Sequence, residues 1–151
     1  MNYPLYSDEY FMNEALKEAK LALEKKEIPV GAVIVADNRI IARAHNQTET
    51  LNDVTAHAEM IAITAASNTI GSKYLNQCTL FVTLEPCVMC ASASKFAHLS
   101  RIVFGAADIK EGFSGIVQNI IHPRTKVRSG ILKEECTILL VDFFRQRRKK
   151  Y

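Results

Sequence analysis

The sequence predicts an α/β domain built on a mixed sheet, and two observations carry that prediction. Short apolar runs of strand length alternate with segments whose apolar residues recur at helical spacing. The first two runs are joined by turn chemistry alone, so a hairpin opens the chain's sheet and helices separate the later strands. With neither a repeat nor a linker in 151 residues, positions 1–151 are expected to form one domain.

Each element has a local reason. Ser7 is a candidate N-cap, Asp8 and Glu9 suit a first turn, and Phe11, Ala15, Ala19 and Leu23 lie at helical spacing. That helix should stop before Pro29, because proline disfavours helical geometry at Ile28. Val30 to Val35 reads as a strand, Asp37 and Asn38 as a turn, and Ile40 to Ala44 as the returning strand. Asn46 to Asp53 is polar enough for a loop, after which Thr55 is a candidate cap for a helix that opens on His57 and runs through Met60, Ile61 and Ala65. Thr79 to Thr83 is β-rich, and Pro86 suits the first helical position, where a missing N–H costs nothing. Arg101 to Ala106 resumes a strand, and Leu132, Cys136, Leu139, Leu140 and Phe143 form the apolar stripe of a last helix.

Composition narrows the function. At 48% hydrophobic and 23% charged residues, with six Gly and four Pro, the chain is globular in character rather than disordered or fibrous. Met1 to Ser7 has no secretory pattern and no later run spans a bilayer, so a cytoplasmic protein without a membrane partner is expected. Four cysteines in a reducing compartment are then thiols or metal ligands rather than a disulfide framework. The net charge of +3 is modest, but Arg145, Arg147, Arg148, Lys149 and Lys150 crowd the C-terminus, and Arg124, Lys126 and Arg128 precede them. Those cations suit either phosphate contact or a solvated helix end.

The chemistry concentrates in two segments. His57-Ala58-Glu59 and Pro86-Cys87-Val88-Met89-Cys90 both fall at expected helix starts. Residues three apart share a helix face, so Cys87 and Cys90 can aim two sulfurs at one metal ion, and a helix N-terminus favours their thiolate form. His57 completes a three-ligand set that leaves a tetrahedral zinc one position for water. Glu59 is then the candidate base for that water's proton. A bare CxxC has other readings: a redox pair, or a four-ligand structural zinc site completed by Cys78, Cys136, His45 or His98. Cys78 and Cys136 lie in apolar surroundings and read as packing thiols.

The HxE and PCxxC pair resembles the signature of zinc deaminases. Pro29 to Val33 (PVGAV), Arg43 to Asn46 (RAHN), Thr55 to Glu59 (TAHAE), Thr83 to Cys87 (TLEPC) and Val103 to Ala106 (VFGA) are similar to the tRNA-specific adenosine deaminase family, as are Asp108 to Gly112 (DIKEG) and Phe143 to Arg145 (FFR). The resemblance implies a three-layer α/β/α cytidine-deaminase-like fold around a mixed, mostly five-stranded sheet. It implies hydrolytic deamination of adenosine to inosine at the wobble position of a tRNA anticodon, by a homodimer with one Zn2+ per subunit bound to the anticodon arm. Under it His57, Cys87 and Cys90 bind zinc, Glu59 shuttles protons, Asn46 holds the target base, and Asp108, Lys110, Phe144 and Arg145 contact substrate. The sequence departs from the family at Val54, where proline is usual, and in a shorter 113–128 segment that lacks an Asn-His pair. Two rivals stand beside this reading: a deaminase of a free base or nucleoside such as guanine or cytosine, and a noncatalytic zinc-stabilised RNA-binding module.

Overall fold

A computed structural model describes residues 2–149. Helix α1 (Asp8–Glu24) is followed by strands β1 (Gly31–Ala36) and β2 (Arg39–His45), helix α2 (Ala58–Ile70), strand β3 (Cys78–Leu84) and helix α3 (Val88–Phe96). Strand β4 (Arg101–Ala106), a single turn α4 (Phe113–Ile116), strand β5 (Lys126–Arg128) and helix α5 (Lys133–Arg148) complete the described chain. The five strands lie in the order β2-β1-β3-β4-β5; β1 pairs antiparallel with β2 and β3, and β3-β4-β5 are parallel. Asp37 and Asn38 take positive φ values of 53° and 60°, which matches the right-handed twist of a two-residue hairpin turn.

Side-chain alternation divides the core between the two faces of the sheet. Ala32, Ile34, Leu80, Val82, Ile102 and Phe104 face α2 and α3, packing with Ala58, Ala62, Ala66 and Ala91. Val33, Val35, Phe81 and Val103 face α1 and α5, packing with Phe11, Met12, Ala15, Leu16 and Cys136. Three layers result, as expected. On the α1 side the helix approaches the sheet at Gly31, where a Cβ would fall on the Ala15 carbonyl oxygen and the Ala19 nitrogen. Only glycine permits that approach, and the Gly31 N–H donates across the sheet to the buried Thr83 Oγ1 at 3.1 Å.

Ser7 caps α1 as expected, its hydroxyl accepting the Tyr10 N–H at 3.1 Å. Two other expectations are corrected. Thr55 does not cap α2: its N–H and hydroxyl are both donated to Asp53 Oδ1, and His57 occupies the N-cap position. Pro86 is not the first helical residue, because α3 begins at Val88 with Cys87 as N-cap. The single turn α4 and strand β5 have no counterpart in the sequence reading. All three β5 residues are exposed, so no alternation marks them.

One ion-pair cluster ties the distant ends of this fold together. Asp8 accepts two hydrogen bonds from Arg101 at 2.9 and 2.7 Å and one from Arg128 at 2.6 Å, joining α1 to β4 and β5. The hydrogen bond from Arg101 is the main influence that holds the Asp8 carboxyl below its ordinary value, against the upward push of burial. A depressed carboxylate contributes stability above its unfolded pKa and loses it as pH falls through the folded one. Asp8→Asn should therefore cost about 2 kcal/mol in urea unfolding at pH 7. That deficit should shrink as pH falls through the depressed folded-state value, where wild-type Asp8 becomes protonated as well; a deficit that stays the same into acid would assign the loss to packing.

Candidate active site

Helices α2 and α3 start at the same place, and each has a potential metal ligand as its N-cap. His57 and Cys87 both adopt extended backbone there, and neither side chain caps its own helix. For α2 the missing acceptor comes from outside: Asn46 Oδ1, just beyond β2, accepts the Ala58 N–H at 2.8 Å. Cys90 lies one turn into α3 and is fully buried. His57 Nδ1 is 3.6 Å from Cys87 Sγ and 3.5 Å from Cys90 Sγ. Bonds of about 2.0 Å to nitrogen and 2.3 Å to sulfur at a tetrahedral angle require an N···S separation of about 3.5 Å, so both nitrogen–sulfur edges already have the length a zinc site needs. It is the one group of three such residues, among those described, whose ligand atoms converge within 4.8 Å.

The charge states suit that ion. A hydrogen bond from the Cys90 thiol, helped by another from His57, draws the Cys87 thiol down to about 4. The same bond to Cys87, reinforced by burial, pushes Cys90 up. Two adjacent sulfurs carry charge together at low cost only when a cation lies between them, as a divalent ion does. Glu59, 4% exposed on the first turn of α2, is pushed by burial up to about 7. It is placed to exchange protons near neutral pH without being a ligand.

The alternative ligands are placed elsewhere. Cys78 and Cys136 are buried in opposite cores. His45 lies between Glu18 and Lys25, its Nδ1 3.5 Å from the carboxylate and its Nε2 3.2 Å from the ammonium. His98 stacks on Tyr74. A four-ligand structural site built from any of them is overturned.

Residues expected to meet substrate fall into three groups. Asn46 adjoins the start of α2, next to His57: its Oδ1 is committed to the Ala58 N–H, and no hydrogen bond from its Nδ2 is seen among the described residues. Asp108 and Lys110 belong to a stiff turn beside Cys87: Asp108 Oδ1 accepts the Lys110 and Glu111 N–H groups at 3.2 and 3.1 Å, and Gly112 bridges to Cys87. Phe144 and Arg145 stand apart on the exposed end of α5, where Phe144 meets Phe143 edge-on and Arg145 lies 3.8 Å from Asp142. No hydrogen bond or ion pair among the described residues joins them to the zinc triangle.

Sequence reasoning missed the group that holds the Asp108 turn in place. Glu85, buried between β3 and Cys87, accepts the Asp108 N–H at 3.1 Å, the Ser114 N–H at 3.0 Å and the Ser114 hydroxyl at 2.6 Å. Its position in the Thr83 to Cys87 motif was the available signal, but an isolated glutamate does not announce partners 23 and 29 residues away.

This geometry defines a class, the zinc-binding deaminases, and residues 5–106 match the family described as the cytidine and deoxycytidylate deaminase zinc-binding region. The tRNA-specific adenosine deaminase of Bacillus subtilis (strain 168) is 49% identical over 148 residues, covering 95% of this chain and 92% of that protein. The protein of that name from Aquifex aeolicus (strain VF5) is 46% identical, with 93% and 95% covered. A solved structure from a study of A-to-I editing by tRNA:A34 deaminases superimposes with a TM-score of 0.83 at 45% identity, over 87% of this chain and 99% of that one. The chain belongs to the tRNA-specific adenosine deaminase family. A guanine deaminase from Nitrosomonas europaea shares the fold, with a TM-score of 0.81 over 91% of this chain and 84% of that one, at 21% identity.

Gly112 offers a direct test of how the site is built. A Cβ there would collide with the Asp108 carbonyl oxygen and the Glu85 carboxylate. Gly112→Ala should cost about 1–3 kcal/mol, as overpacking does, and should weaken zinc retention against a chelator by displacing the strand bridge to Cys87. Unaltered stability and zinc retention would show that the turn yields freely.

Proposed function

We propose that residues 1–151 act as one deaminase domain that hydrolyses adenosine to inosine at the wobble position of a tRNA anticodon. The observation that carries the reaction is a three-ligand zinc triangle with a buried, non-ligating carboxyl, Glu59, beside it. The substrate rests on relatives named tRNA-specific adenosine deaminase across more than nine-tenths of the chain, and on a solved structure from a study of A-to-I editing at the wobble position of tRNA. A noncatalytic zinc module would have no use for an open ligand position backed by an acid.

Bound zinc, held by His57, Cys87 and Cys90, supplies the Lewis acidity that makes water a nucleophile at neutral pH. Glu59 takes the proton released as water adds to adenine C6 and gives it to the ring nitrogen, then moves the remaining hydroxyl proton to the departing amine. The C6–N bond breaks, ammonia leaves and inosine remains. Asn46 Nδ2, the unused donor, meets an acceptor on the purine edge. The Asp108 to Gly112 turn and the Phe144-Arg145 end of α5 contact the anticodon arm, whose loop exposes bases at little unpairing cost. The cations from Arg145 to Lys149 add phosphate attraction; Lys150, read with them in the sequence, lies outside the described residues.

The homodimer belongs to the same reading. Phe96 is 76% exposed at the end of α3, above a groove lined by Ile63, Ser67, Ala93 and Ala97 between α2 and α3. Ala91 faces the core, so Phe96 and Ala93 supply the outward contact. No described helix is long and apolar enough to cross a membrane. A reducing cytoplasm, where tRNA resides and thiolate ligands persist, suits the site.

The deciding assay incubates zinc-loaded protein with an anticodon stem-loop carrying wobble adenosine, and with free guanine, cytidine and adenosine in parallel. Inosine in the RNA alone is expected; turnover of a free base alone would move the protein to the small-molecule reading. Glu59→Ala should keep its zinc and lose about 10²–10⁴-fold in rate, and wild-type activity in that variant would remove Glu59 from the mechanism. Truncation from Arg147 should weaken RNA binding and flatten its dependence on salt. An unchanged salt slope would assign those cations to solvation.

A further inference from the structure

Glu27 is 0% exposed, the most enclosed carboxylate among the described residues, and it takes no part in the zinc triangle. It follows α1, where Lys26 turns the chain through a positive φ of 62°. A buried carboxylate without a cation is stable only when hydrogen-bond donors replace its water. Four do so, and all come from one turn. Thr48 Oγ1 donates at 3.4 Å, the Glu49 N–H at 3.1 Å, the Thr50 N–H at 2.6 Å and Thr50 Oγ1 at 2.6 Å. Burial pushes the carboxyl up, but these donors outweigh it and hold the group below its ordinary value.

That turn is the middle of the segment from Asn46 to His57, so both ends of the segment are site residues. The segment closes largely on itself. The Gln47 N–H donates to the Ala56 carbonyl at 2.9 Å, the Leu51 N–H to the Gln47 carbonyl at 2.9 Å, and the Asp53 N–H to the Thr48 carbonyl at 3.0 Å. Its internal shape therefore does not require Glu27. What Glu27 adds is attitude: among the described residues, every hydrogen bond from residues 48–50 to another element ends on its carboxylate. The segment also leaves Leu51 and Val54 exposed, at 54% and 86%, on the stretch of chain between Asn46 and His57, and a base taken out of its stack has to enter there.

Resting on the deaminase reading above, we infer that Glu27 is a positioning residue for the substrate. It orients residues 47–55, so that Leu51 and Val54 meet the target nucleotide and its neighbours in one arrangement, while Asn46 is held separately by the Val30 carbonyl. The zinc triangle is held by α2, α3 and Glu85 and does not pass through Glu27. Its loss therefore weakens substrate engagement and leaves the chemical step in place.

Glu27→Gln places an amide N–H against the Thr50 donors and leaves one acceptor. Zinc per chain should stay at the wild-type value, kcat for the stem-loop should change by less than about twofold, and KM should rise about tenfold, the loss of one charged hydrogen bond. Amide exchange should accelerate at Glu49 and Thr50. Thr50→Val, which removes a single contact, should raise KM about threefold, and the double variant should be no worse than Glu27→Gln, because both act through one interaction. Faster exchange with an unchanged KM would reduce Glu27 to a stabilising group and overturn the proposal. A joint fall in kcat and zinc content would overturn it too, by showing that the clamp carries the metal site. If Glu27→Gln does not fold, Thr50→Val alone decides: an unchanged KM ends the proposal. Wild-type protein that ignores the stem-loop but turns over a free base refutes the assigned substrate, and the clamp is then judged by KM for that base.

Discussion

The Ala58 amide would have no acceptor if Asn46 were not beside it. A helix ordinarily takes its first hydrogen bonds from the side chain of its own N-cap residue. In α2 that residue is His57, whose ring points at two sulfurs, and in α3 it is Cys87, one of those sulfurs. Ligation and capping compete for the same position, and ligation has it in both helices. The Asn46 carbonyl supplies the cap for α2 from the far end of β2, itself held by its N–H to the Val30 carbonyl at 3.1 Å. Through that one bond the sheet sets where α2 begins, and so where His57 and Glu59 stand relative to α3.

Two helix N-termini meeting at one point also set the electrostatics. Each brings a partial positive charge, which favours thiolate at Cys87 and negative charge developing on a substrate nearby. Glu59 is an anion in the same field, yet its burial outweighs that attraction and keeps its proton affinity near neutral. Cys87 and Glu59 are thus driven in opposite directions within one site, one toward metal binding and the other toward proton transfer. Separating the affinities of neighbouring groups is what acid–base chemistry at neutral pH requires.

Much of this was legible because the signals are local. The stripe of α1, the hairpin turn at Asp37-Asn38 and the strand at Arg101 to Ala106 each rest on spacing within a dozen residues. The ligand set was legible because chemistry restricts which residues bind zinc with an open position. What was not legible depends on distant partners. Thr55 looks like a cap until Asp53 takes its hydroxyl, and β5 has no apolar alternation because it pairs on one side only and is exposed throughout. Glu27 and Glu85 drew no role of their own, since nothing at positions 27 and 85 reveals the donors the fold brings to them.

On the reading proposed above, those two glutamates bear on substrate choice through the loops they hold. A guanine deaminase at 21% identity keeps this fold, so the fold does not by itself choose among bases. Choice then has to come from what adjoins the triangle, and two loops lead into it: residues 47–55, which end at His57, and residues 107–112, which bridge to Cys87. Each is held by a buried carboxylate that does no chemistry and accepts three or more hydrogen bonds from backbone and hydroxyl donors. An apolar residue could fill either space, but it would leave the loop amides without acceptors and the loops free to move. A flexible rim would admit many small bases. A fixed one presents a single outline to a folded RNA loop, and two buried carboxylates are a physical means of fixing it.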